Sequence, residues 1–78
     1  MNDSRRRKIT KALKLIEEAN TIIEDVAEEE ADALSNFPES LEGTDKYMTC
    51  EEANGNLEEA VSAFEDLIDY LESARDGG

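Results

Sequence analysis

The sequence predicts an all-α protein: an antiparallel two-helix hairpin, coiled-coil-like, that dimerises into a four-helix bundle. Three observations carry that prediction. Apolar residues recur at alternating spacings of three and four through both halves of the chain. The only proline, Pro38, and a glycine, Gly43, fall together in the middle. Six of the eight basic residues lie in the first fourteen positions, while acids fill the rest. With 78 residues the chain forms one domain, residues 1–78.

The first helix is expected over about 3–36. Ile9, Ala12, Ile16, Ala19, Ile23 and Val26 occupy heptad positions a and d, and Glu30 and Ala33 continue the phase. Leu13, Ala27 and Leu34 form a second row at e, and Leu15 and Ile22 a third at g. The apolar face is therefore wider than a two-stranded seam. Asp3 or Ser4 is placed to cap the start.

The hinge is expected over about 37–48. Pro38 pushes Phe37 out of helical geometry, and Gly43 and Asp45 are turn residues. Pro38 through Leu41 fits a single helical turn. Phe37 and Leu41 are expected to plug the opening between the helices.

The second helix is expected over about 49–75. Thr49 and Glu52 have capping-box spacing, with Met48 where a hydrophobic staple would sit. Ala53, Leu57, Ala60, Phe64, Leu67, Leu71 and Ala74 form the a/d seam. Val61 and Ile68 repeat the e row, and Ala63 and Tyr70 the g row. Gly55 interrupts helix propensity, and Asn56 with Glu59 offers a later start, but the unslipped phase favours one continuous helix. Gly77 and Gly78 are expected to end it.

Antiparallel pairing follows from charge. It sets Arg5, Arg6, Arg7, Lys8, Lys11 and Lys14 beside Glu65, Asp66, Asp69, Glu72 and Asp76. Each exposed pair adds only about 0–1 kcal/mol, but the match offsets unfavourable helix-dipole placements. A lone hairpin would leave Leu13, Leu15, Ile22, Val61, Ile68 and Tyr70 half wet. These six are the candidate oligomer interface, to be covered by a second hairpin or by a partner protein.

Composition excludes several functions. The chain has no His and one Cys, so no ordinary zinc site or Cys/His or Ser/His catalytic group can form in one chain. No catalytic, cofactor-binding or metal-binding residue is expected. Glu24, Asp25 and Glu28 come nearest to a divalent-metal cluster, but they occupy outward positions b, c and f. A net charge of −13 disfavours direct nucleic-acid binding and contact with a membrane. No apolar run is long enough for a transmembrane helix, and no secretory leader is evident. The expected compartment is the cytoplasm. Cys50, placed in the first turn of the second helix, is expected to have a somewhat lowered pKa.

The candidate partner-binding surface combines the acidic outer face with the hinge. The acids are Glu17, Glu18, Glu24, Asp25, Glu28, Glu29, Asp32, Glu51, Glu52, Glu58 and Glu59; the hinge supplies Phe37, Leu41 and Tyr47. Rows of carboxylates on b and c are first of all a solvated face. They also resemble phosphates on a rigid rod, a surface that fits a basic cleft.

The stretch Asn36-Phe37-Pro38-Glu39-Ser40-Leu41-Glu42-Gly43-Thr44-Asp45, with Met48, Glu51-Glu52-Ala53, Leu57-Glu58-Glu59-Ala60 and Phe64-Glu65, resembles small acidic helical-hairpin proteins of phages and prophages of Gram-positive bacteria. The resemblance implies a non-enzymatic accessory or counter-defence protein that binds a host protein. It carries over no catalytic residue. Two alternatives stand beside it: an acidic nucleic-acid mimic that inhibits a nuclease, of anti-CRISPR or anti-restriction type, and a structural scaffold component.

Overall fold

A computed structural model describes residues 1–77, and Gly78 lies outside the described residues. Among them the chain forms helix α1 (Asp3–Ser35), one 3₁₀ turn (Glu39–Leu41) and helix α2 (Asp45–Gly77), with no strand. The two long helices pack against each other in a hairpin 59 × 15 × 13 Å in extent.

The cap of helix α1 is Asn2, one residue before Asp3 and two before Ser4, the expected caps. Asn2 is extended, and its Oδ1 accepts a hydrogen bond from the backbone N–H of Arg5 at 2.9 Å. Asp3 then lies in the first turn, where the dipole favours an acid. At the other end Pro38 is extended, as expected of a residue leaving the helix, and Glu39–Leu41 make the single turn. Gly43 adopts φ +86°, a backbone state that only glycine enters without steric cost.

Helix α2 starts four residues earlier than the expected Thr49, because Thr44 does the capping. Thr44 Oγ1 accepts from the backbone N–H of Tyr47 at 3.3 Å and donates to the carbonyl of Leu41 at 2.7 Å. The Thr44 carbonyl accepts from the N–H of Met48 at 3.0 Å. Thr49 therefore sits inside the helix, its hydroxyl bonded back to the carbonyl of Asp45 at 2.9 Å. Met48 likewise lies inside the helix, not at the position before its cap, and is exposed. Helix α2 runs unbroken through Gly55, where a Cβ would meet no atom within 4 Å, and Gly77 is still helical.

Cys50 faces Glu30, and Arg75 faces Arg6, so one antiparallel register holds from the hinge to the free end. That register sets Ile9 across from Leu71, Leu13 from Ile68, Ile16 from Phe64 and Ile23 from Leu57, all at least half-buried. Leu13, 4% exposed, is the one fully buried apolar residue.

The seam differs from the expected a/d stripe in one systematic way. Position a is half-buried from Ile9 to Glu30 and from Cys50 to Leu71. Position d begins half-buried at Ala12, Ala19, Ala53 and Ala60 but ends exposed at Val26, Ala33, Leu67 and Ala74. Position e stays inside, from Leu13 to Leu34 and from Tyr47 to Arg75. A helix with 3.6 residues per turn drifts by about 20° per heptad. Over three heptads that drift carries d out of the seam, while e remains within it.

Candidate functional site

Because the helices run in opposite directions, both e rows lie on one side of the seam and both g rows on the other. The e side is closed. Leu13 is buried and Val61 and Ile68 are half-buried within the hairpin, so these three of the six candidate interface residues pack against the neighbouring helix. The g side is open. Leu15 is 58%, Ile22 62% and Tyr70 76% exposed, and the drifted d residues Val26 and Leu67 join them. Ala60, Ala63, Phe64 and Leu67 line an open apolar groove of about 270 Å³ on this side. The d/g flank is thus an apolar strip that the hairpin does not cover, larger in kind than the scattered apolar residues of an ordinary surface.

The hinge end carries the polar part of the seam. Cys50 Sγ donates to Glu30 Oε1 at 3.1 Å. That hydrogen bond, together with burial and the charge of Glu30, pushes the Cys50 thiol up. The expected lowering fails because α2 starts at Asp45, which moves Cys50 out of the first turn and opposite a carboxylate. Phe37 and Tyr47 are both half-buried and meet edge to face, with ring centroids 5.3 Å apart at 84°. Leu41, expected to plug the opening with Phe37, is 44% exposed. Burial against this cluster, with Glu51 and Glu42 nearby, raises the Tyr47 pKa.

Two asparagines also enter the seam at e. Asn20 donates through Nδ2 to Glu24 at 2.9 Å, and Asn54 to Glu58 at 3.4 Å. The Oδ1 atoms of both are shut from solvent and have no hydrogen-bond partner. Each costs stability, and polar groups at seam positions are a means of fixing register. Sequence reading overlooked them because it followed only the apolar residues of the e row.

At the free end, Arg6 Nε donates to the carbonyl of Arg75 at 3.3 Å, and Arg75 Nη1 to Thr10 Oγ1 at 3.4 Å. The side-chain ion pairs among the described residues lie within one helix: Arg6 with Asp3 at 3.3 Å, and Arg75 with Asp76 at 2.9 Å. The second pair raises the Arg75 pKa and lowers that of Asp76. The expected pairing of the basic start with the acidic end of α2 is therefore not made by direct side-chain contacts. Arg7, Lys11 and Lys14 fall at f, c and f, and Glu65, Asp66, Asp69 and Asp76 at b, c, f and f. Those positions face outward on both helices and cannot meet across the seam.

The acidic candidates Glu17, Glu18, Glu24, Asp25, Glu28, Glu29, Asp32, Glu51, Glu52, Glu58 and Glu59 are all exposed. Among the described residues no group of three or more Cys, Asp or Glu side chains is arranged to hold a metal ion. No described helix is long and apolar enough to cross a membrane. Compared with family models, with curated proteins and with solved structures, the chain matches none of them.

Proposed function

We propose that this chain is a non-enzymatic protein-binding module that works by covering its d/g flank with another protein surface. The carrying observation is the division of the apolar face. The hairpin closes over Leu13 and leaves Leu15, Ile22, Val26, Leu67 and Tyr70 in water. A hairpin with one fully buried apolar residue gains stability by burying that strip, at roughly 25 cal/mol per Å² of apolar surface. Self-association into a four-helix bundle closes the strip and leaves the acidic outer rows and the hinge free. In the phage or prophage setting implied by the hinge resemblance, those free surfaces would meet a host protein.

The test is solution mass by light scattering at low and high salt, for the native chain and for Ile22→Asp. The expected result is a salt-tolerant dimer for the native chain, and a helical monomer for Ile22→Asp. A native chain that is monomeric at both salt concentrations overturns the reading.

The exposure of all eleven acidic candidates favours a second reading, a nucleic-acid mimic seated in a basic cleft of a nuclease. Such binding is electrostatic, so it falls steeply between low and high salt and is displaced by DNA or RNA. Inhibition of a nuclease that is unchanged by salt would count against it.

A further inference from the structure

We propose that the d/g flank takes a second copy of this chain in the antiparallel sense, hinge against free end, with α1 lying along the partner's α1. This inference rests on the protein-binding reading above and adds the occupant and its orientation. The g row of α1 reads Lys8, Leu15, Ile22, Glu29. Read from the other end it is apolar at the same places and opposite in charge. A two-fold axis crossing α1 between residues 18 and 19 sets Leu15 against the partner's Ile22, and Lys8 against the partner's Glu29. Such an isologous contact makes every pairing twice. Lys8 and Glu29 are both exposed and make no side-chain hydrogen bond or ion pair among the described residues, so both charges are free for it. Ala19, a small residue of the d row, lies beside the axis, where the two α1 helices would approach most closely.

The long-range charge agrees. The six bases of residues 5–14 lie at the free end, where Glu65, Asp66, Asp69, Glu72 and Asp76 of α2 largely balance them, while Glu28, Glu29, Asp32, Glu51 and Glu52 crowd the hinge half. Packing hinge against hinge would set the two acidic halves side by side. The antiparallel arrangement lays each acidic half on the nearly neutral half that holds the bases, which disfavours the other orientation. It also leaves the two hinge surfaces at opposite ends of one rod, so the assembly is bivalent.

The experiment places one spin label per chain at the hinge tip, in Ser40→Cys with Cys50→Ser, and measures the label-to-label distance by pulsed electron resonance. Ser40 is exposed, and the hydroxyl introduced by Cys50→Ser keeps a donor for Glu30. The expected distance approaches the 59 Å length of the molecule. A distance below about 25 Å, two helix diameters, overturns the antiparallel arrangement and leaves the protein-binding reading standing. A monomer at every salt concentration overturns both. As a second arm, Lys8→Glu is expected to weaken dimerisation about tenfold, through two like-charge contacts per dimer. Lys8→Glu combined with Glu29→Lys is expected to restore it. Failure of the double substitution to restore affinity, with helix content unchanged, also overturns the pairing.

Discussion

Leu13 and Leu15 are two residues apart on one helix and chemically identical, yet one is 4% exposed and the other 58%. Leu13 is on the e flank, which lies against the neighbouring helix from the first heptad onward. Leu15 is on the g flank, which faces away from it. The e flank also holds the polar intruders Asn20 and Asn54 and closes around them. The g flank is apolar through its centre and closes around nothing. The flank that buries its side chains thus tolerates polar groups, while the flank that exposes them keeps large apolar ones. That inversion teaches that the e side is sufficient for a hairpin, and that the g side is shaped for something outside it.

Substitutions sharpen the contrast, beginning with the leucines themselves. Leu13→Ala is expected to destabilise the fold by about 2–4 kcal/mol through lost burial and a residual cavity. Leu15→Ala is expected to change the stability of the isolated hairpin by less than about 0.5 kcal/mol and to act on self-association instead. Urea denaturation followed by helix content, over a range of protein concentrations, separates the two. Equal costs at low concentration would erase the distinction between the flanks.

Asn20→Leu is expected to stabilise the hairpin by about 1 kcal/mol, because it removes an acceptor that is buried without a partner. The same change loosens register, which cysteine pairs at Ile9 and Leu71 would report as slower or mixed cross-linking. Gly55→Ala follows at about 0.5–1 kcal/mol of stabilisation, since an added Cβ meets nothing within 4 Å. It is measured by the shift in thermal midpoint.

The smallest effect concerns the hinge end of the seam. The Cys50 thiol is held up by its hydrogen bond to Glu30. The folded pKa therefore exceeds the unfolded one, so the contribution is fully present below about pH 8.5 and is lost as pH rises through the folded value. Alkylation of Cys50 is expected to be slower than that of a free thiol at neutral pH. In Glu30→Gln it is expected to be faster, with its pH profile moved down. An unchanged profile would remove Glu30 as the cause.

Much of the hairpin was legible in the chain. Unbroken heptad phase predicted two long helices, and Pro38 with Gly43 located the break. The start of α2 was hidden, because Thr49 and Glu52 match a capping box while Thr44 has no such partner. Only the fold of the 3₁₀ turn brings the Leu41 carbonyl to the Thr44 hydroxyl. The candidate interface was legible by residue type but not by side. A single sequence labels e and g alike as flanking rows, and it does not reveal how far a helix drifts against its neighbour.

By itself the sequence determined helix, break, direction and charge, since these follow from periodicity, backbone chemistry and the order of residues. The tertiary structure decided which flank closes, which residue caps α2 and which carboxylate meets Cys50. Those outcomes depend on the relative rotation and register of two helices, a property of neither helix alone.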